Sequence, residues 1–324
     1  MNKTFYKPNI IISKCLNFDN CRFNGDMIND NFLKKLWDFV NYIPVCPEVA
    51  IWLGTPRMPL RLVNVDNETR LLQPSSKSDL TDEMDYFSET FLKTQKEIDW
   101  FIMKNRSPSC GIKDVKVYDK VDSYSINNKY SSWIFGNKLY EMFPNIPTED
   151  EWRLKNFRLR EEFLSKIFCL AEFREINKTK KISDLSDFQA KNKYLFMFYS
   201  PSIQVLLWQI VASYNKENSN EIYNYYFKEL IKLFNTKTNI WKMVNTLTHI
   251  FWYFKDTCSI EEKQFFLETI GVYREWRIPT SSVMSILKTW ALRDKKEYIL
   301  IQTILNPFPK DLVELIDSWR ILEL

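Results

Sequence analysis

One histidine, His249, stands in 324 residues, and that scarcity removes the usual parts of zinc hydrolases, Ser-His-Asp triads and histidine acid/base pairs. The six cysteines include no compact Cys-x-x-Cys, so spacing alone announces neither a zinc site nor a redox pair. Glycine is almost as rare. Four of the five, Gly25, Gly54, Gly111 and Gly136, fall before residue 143, so special backbone angles are expected in the loops of that part. The apolar run near the start, residues 10–12, is three isoleucines with no small-residue cleavage site after it, which fits neither a signal peptide nor a membrane span. A cytosolic (cytoplasmic) protein is expected, with no transmembrane segment, internal repeat or low-complexity tract. A large charge of one sign is missing too. The balance of 45 basic against 41 acidic residues, net +4, does not by itself signal a nucleic-acid partner.

What is present is apolar and aromatic. Hydrophobic residues make up 45% and aromatics 16% of the chain, ample for packed cores, and the length favours two domains. Residues 1–143 mix short apolar runs with segments of helical period, which reads as an α/β domain. "MFPNIPTEDEWRL" then changes the regime: two prolines end what precedes, and Thr148 with Glu151 is expected to form a capping box for a new helix. The boundary is placed there, and residues 144–324 read as an all-α domain. A second capping box is expected in "SIEE", from Ser259 to Glu262.

Three cysteines share a context, each at or just past an expected strand end: Cys15 after "NIIISK", Cys46 after "YIPV" and Cys110 after "WFIMKNRSPS". Loops at the carboxyl ends of strands converge in open α/β sheets, so three such thiolates could ligate one centre. Three soft ligands without histidine favour an iron-sulfur cluster over catalytic zinc. The alternative is three unrelated buried thiols. Cys169, in a helical apolar stretch, reads as core; Cys258 reads as inert; Cys21 stays open between a ligand and a loop residue without a role.

The motifs "SKCL", "CRFNG", "VCPEV", "GTPRMP" and "RSPSCG" occur in the order and rough spacing of a known family. The N-terminal half resembles the thiouracil desulfidases (DUF523). The second half resembles DUF1722 through "FPNIPTEDEWRL", "NTLTHIFWYFK", "EEKQFFLETIGVYR" and "LNPFPKDL". Their fusion resembles the tRNA 4-thiouridine desulfidases. The resemblance implies a [4Fe-4S] cluster held by three protein ligands, Cys15, Cys46 and Cys110, with one open iron that accepts the thiocarbonyl sulfur as a Lewis acid. It also implies that Glu48 serves as catalytic acid, passing a proton between the attacking water and the ring nitrogen, with Ser107 or Ser109 orienting base or water. Gly111 would let the backbone turn tightly beside the cluster. Arg57, with Thr55 in the same turn, would hold phosphate or an exocyclic oxygen, or else form a structural salt bridge. The chemistry needs no net redox change.

Under the same resemblance the partner is thiolated tRNA. Candidate phosphate contacts in the helical half are Lys178, Lys180 and Lys181, Lys191 and Lys193, Arg274 and Arg277, and Arg293, Lys295 and Lys296. Tyr194, Trp276 and Trp290 are candidate stacking rings. The alternative for each is a solvated helix face or a core aromatic. Two departures stand out: "FQAKNK" replaces a histidine-bearing motif of DUF1722, and "EVAIWLGTPRMP" lacks the glycines that normally precede "TPR". Competing functional readings are desulfidation of free thiolated nucleobases, a non-catalytic RNA-binding scaffold and, more remotely, a zinc-binding scaffold.

Overall fold

The computed structural model describes residues 4–121, 126–131, 134–215 and 218–313. They form two compact units, one of Tyr6–Phe163 and one of Leu164–Asp311.

The first unit is α/β. In chain order its elements are β1 (Asn9–Ser13), α1 (Asn31–Leu36), β2 (Asn41–Val45), α2 (Pro47–Ala50), β3 (Arg61–Val65), β4 (Glu68–Gln73), β5 (Ser78–Asp79), α3 (Thr81–Thr94), β6 (Trp100–Met103), β7 (Val115–Tyr118), β8 (Ile126–Ser131), α4 (Ile134–Met142) and β9 (Thr148–Asp150). One sheet has the order β2-β1-β6-β9 and every neighbouring pair is parallel. Its two central strands, "NIIIS" and "WFIM", are continuous apolar runs because both faces are covered, and Ile10, Ile11, Ile12, Phe101 and Ile102 are fully buried. Pro44 lies on the edge strand β2, where a missing N–H breaks no ladder. The second sheet, β5-β4-β3-β7-β8, is mixed. Leu92 of α3, with Phe135 and Leu139 of α4, packs into the core that holds Ile11 and Phe101.

Two expectations are corrected here. Thr148 starts no helix: residues 148–150 add a fourth parallel strand beside β6, with Phe101 opposite Thr148 and Met103 opposite Asp150. Partner strands override the local cap signal, and Glu151 bonds to Lys104 and Asn105 instead of closing a helix turn. The unit therefore continues past residue 143. It ends at Phe163 because the first turns of α5 (Phe157–Thr179) still pack on it, Phe163 lying edge-on to Trp100 and Phe32.

The scarce glycines also behave differently from expectation. Only Gly25 takes a positive φ among the described glycines, while Asn17, Trp52, Asp66, Asn67, Lys77, Glu97, Arg106 and Asp114 occupy the left-handed region in this unit. Asp66 and Asn67 together make the β3–β4 turn, where the strand twist favours two positive-φ residues. Gly111 is a point of close approach: a Cβ on Gly136 of α4 would lie 2.8 Å from its carbonyl oxygen.

The second unit is helical: the remainder of α5, then α6 (Ile182–Tyr199), α7 (Pro201–Ala212), α8 (Ser219–Asn235), α9 (Ile240–Phe251), α10 (Ile260–Arg274), α11 (Thr280–Arg293) and α12 (Glu297–Leu300). Phe173 stacks on Tyr226 and Phe227 at its centre. Ser259 and Glu262 form the reciprocal capping box expected of "SIEE", with Glu262 N donating to Ser259 Oγ (3.2 Å) and Ser259 N to Glu262 Oε2 (2.8 Å). Cys169 is buried, as its apolar context implies. Two of the expected stacking rings are core residues, Tyr194 at 3% and Trp290 at 5% exposure. Several expected phosphate contacts are ion-paired: Lys178 with Glu175, Lys191 with Glu172, Arg277 with Glu275, and Arg293 with Glu262 and Asp294. His249 is exposed on α9. No helix among the described residues is long and apolar enough to cross a membrane.

Candidate functional site: a thiol-lined cavity at the carboxyl ends of the parallel strands

The parallel register brings four strand ends to one edge. Ser13 pairs with Val45, Ile12 with Ile102 and Met103 with Asp150, so the residues that follow each strand emerge side by side. These are Lys14 and Cys15 after β1, Cys46 after β2, residues 104–110 after β6, and Glu151 to Arg153 after β9. They line a cavity of about 700 Å3, to which Cys21, Arg22, Phe23, Glu48 and Arg57 also contribute. Two bonds hold the edge together: Lys14 N donates to Val45 O (2.8 Å), and Lys104 N donates to Ser13 Oγ (2.9 Å).

Four of the six cysteines meet here. Cys46 is the N-cap of α2, with Pro47 preorganising the first helical position. Cys21 contacts both Cys15 and Cys46, and Cys46 Sγ lies 4.0 Å from Cys21 O. The thiol of Cys21 is pushed up to about 11, chiefly by its contact with Cys15; that of Cys46 is pushed far above its ordinary value by Cys21 and by burial. Burial raises Cys110 to about 12. Burial and their thiol neighbours disfavour the thiolate form of Cys21, Cys46 and Cys110, a condition that a positively charged thiophilic centre would reverse. Among the described residues no three His, Cys, Asp or Glu converge closely enough for a single metal ion. Thiols spread around a cavity of this size fit a polynuclear cluster better than one ion, so the donor set and the space both suit an iron-sulfur group.

The third cysteine sits in a well-braced loop. Ser107 Oγ accepts from the backbone N of Ser109 (3.3 Å) and Cys110 (3.2 Å), and Gly111 N donates to Ser107 O (3.0 Å). Ser109 is buried, and its Oγ donates to Glu48 Oε1 at 2.6 Å while lying 3.8 Å from Cys110 Sγ. The other oxygen of Glu48 pairs with Arg57. Arg57 donates further to Cys21 O (3.0 Å) and Gly54 O (3.3 Å), with its side chain only 4% exposed. A carboxylate, a hydroxyl and a guanidinium are thereby locked beside the thiols.

Of the residues singled out in the sequence, Cys15, Cys46, Cys110, Glu48, Ser107, Ser109 and Arg57 all line the cavity. Thr55 is not among the lining residues; it is exposed, and its Oγ1 lies 3.4 Å from Arg57 Nη1. Arg57 lines the cavity and forms a salt bridge with Glu48. Cys21 belongs to the cavity. Sequence reasoning missed Lys104, Asn105 and Glu151. Lys104 Nζ bonds to Glu151 and to Asn105 O (2.7 Å), and Asn105 N donates to Glu151 Oε2 (2.8 Å). Their signal was position, directly after β6 and β9, and it was hidden because β9 read as a helix start.

A parallel α/β sheet whose carboxyl edge carries four thiols beside a braced carboxylate has the layout of an α/β enzyme site with donors for a soft metal centre. The model of the 2-thiouracil desulfurase family matches residues 10–151, which contain every one of these side chains except those after residue 151. That of DUF1722, a protein family of unknown function, matches residues 193–309. An uncharacterized protein of Bacillus subtilis (strain 168), YbbK, is 32% identical over 109 residues, spanning 32% of this chain and 72% of YbbK. The solved structure of the [4Fe-4S]-dependent thiouracil desulfidase TudS aligns at 25% identity with a TM-score of 0.38, covering 48% of this chain and 99% of that one. The chain belongs to the 2-thiouracil desulfurase family, with a DUF1722 domain following.

Proposed function

We propose that this protein removes sulfur from 4-thiouridine in tRNA, leaving uridine and hydrosulfide. The observation that carries a polynucleotide substrate is the rim of the cavity. Trp152 (66% exposed) and Phe23 (43%) flank it, together with the exposed side chains of Arg106 and Lys113. Rings open to solvent beside cations supply stacking for unpaired bases and contacts for phosphate, which a free nucleobase does not need. A target base turned out of its stack would enter between them.

Cys15, Cys46 and Cys110 would hold the [4Fe-4S] cluster, with Cys21 adjoining. When bound, the group supplies a Lewis-acidic iron with affinity for thiocarbonyl sulfur. The rest falls to the protein. Glu48 accepts a proton from the attacking water through the oxygen that Ser109 now occupies, Ser109 turning its hydroxyl to the water or the base. Arg57 keeps the carboxylate oriented and offsets its charge. Ser107 holds the backbone of the Cys110 loop. The balance is that of a hydrolysis: water forms the C–O bond, the C–S bond breaks, both water protons end on the departing sulfur and its base, and no electron donor is required.

The test is to incubate reconstituted protein with 4-thiouridine-bearing tRNA and, separately, with 4-thiouracil, following nucleosides by mass spectrometry and hydrosulfide chemically. Conversion of tRNA, lowered in Trp152→Ala while the free base is unaffected, is the expected result. Conversion of 4-thiouracil alone would replace the substrate with a free nucleobase. Conversion of neither by protein carrying iron and sulfide would leave a non-catalytic RNA-binding scaffold.

A further inference from the structure

Asn105 Oδ1 is buried and accepts no hydrogen bond, and its residue lines the thiol cavity. Such an atom loses its hydration on folding with nothing in return from the chain, which leaves it to a bound water or a ligand. The backbone around it is held at both ends. Asn105 N donates to Glu151 Oε2 (2.8 Å), Asn105 O accepts from Lys104 Nζ (2.7 Å), and Glu151 is itself 5% exposed. The following residue, Arg106, takes a φ of 56°, turning the chain at once into the Cys110 loop. The backbone that carries the acceptor is thus fixed, on the same loop as Cys110 and lining the same cavity as Glu48.

A thiolated pyrimidine can meet this oxygen with an N–H donor. In 4-thiouracil and in 2-thiouracil alike, ring N3 carries a hydrogen and lies next to the thiocarbonyl carbon. In 4-thiouridine, whose N1 carries the ribose, that hydrogen exists only in the thione tautomer, the form whose C=S carbon is open to water. We propose that Asn105 accepts a hydrogen bond from N3–H of the thiolated pyrimidine and so determines specificity for thiouracil rings in their thione form. The inference rests on the desulfidase reading and extends it to the base edge. A thiocytosine ring offers N3 as an acceptor, so Oδ1 in its present orientation finds no donor there and the amide must first turn. Asn105 acts as a positioning and specificity residue, whereas proton transfer stays with Glu48.

The experiment compares 4-thiouracil with 3-methyl-4-thiouracil on reconstituted wild type and Asn105→Ala, each checked for iron and sulfide. Binding of uracil and 3-methyluracil to the same preparations is measured by calorimetry, a readout that needs no turnover. Wild type should prefer the N3–H ring in kcat/KM on the order of 10-fold or more, the usual yield of a site that leaves a buried acceptor unpaired. In Asn105→Ala the preference should shrink to within about 2-fold, because acceptor and steric wall leave together. Equal use of both substrates by wild type, or an undiminished preference in the variant, would overturn the proposal. Should loaded wild type convert neither, the desulfidase reading falls, and uracil binding against 3-methyluracil still decides the role of Asn105.

Discussion

Glu151→Ala should unfasten the carboxyl edge of the parallel sheet. The side chain is 6% exposed and collects two donors, the Asn105 backbone N–H at 2.8 Å and the Lys104 ammonium. Truncation leaves a backbone N–H with no acceptor beside a carboxylate-sized gap, and a charge-assisted bond of that kind contributes about 1.5–3 kcal/mol. Lys104 loses its counter-charge as well, but at 22% exposure water replaces part of it, so the ion pair adds only about 1 kcal/mol. A total near 3 kcal/mol lowers the melting temperature of a unit this size by roughly 6–12 °C. Glu151→Gln keeps an acceptor for Asn105 and should lose only about 1 kcal/mol. Differential scanning calorimetry is the assay because two units can melt in separate transitions and only that of Tyr6–Phe163 should move. A drop under about 2 °C for the alanine variant, or a glutamine variant as damaged as the alanine one, would refute the account of Glu151 as the brace between β6 and β9.

Other outcomes follow from the site. Glu48→Gln should retain iron and sulfide yet lower turnover on the order of 10²–10⁴, the range of general acid/base catalysis, and an undiminished rate would remove Glu48 from the chemistry. Cys46→Ala should lose acid-labile sulfide, whereas Cys21→Ser should keep it. Loss in the second variant instead would make Cys21 a ligand. Replacing Arg106 and Lys113 together by Gln should weaken tRNA binding and flatten its dependence on salt by a slope of about 2 in log–log form, measured by anisotropy between low and moderate salt. An unchanged slope would move the phosphate contacts off the cavity rim.

Much of the site was readable because its parts are local. "NIIIS" and "WFIM" show by composition alone that they are doubly covered strands, and a cysteine placed after each needs only the parallel-sheet rule to be brought to one edge. The motif "SPSCG" carried its own bracing, since Ser107 caps N–H groups only two and three residues away. What could not be read depended on partners distant in sequence. "TEDEW" satisfies a capping pattern on its own, and only the open edge of β6 converts it to a strand. Trp290 and Lys191 looked available for RNA because a sequence does not show that one is packed in the core and the other sits beside Glu172.

The sequence by itself therefore determined the chemistry on offer: thiols without histidine, a carboxylate beside one of them, and strand-ending loops to carry them, each legible from a few neighbouring residues. Tertiary structure decided which of these groups share a cavity and which are already occupied. It brought in Cys21, Lys104, Asn105 and Glu151, and it committed Arg57 to Glu48. The physical reason is range. Backbone propensity and capping act over three or four residues, whereas the pairing of Lys104 with Glu151, 47 positions apart, and of Ser109 with Glu48, 61 apart, exists only once the parallel register has closed the intervening chain.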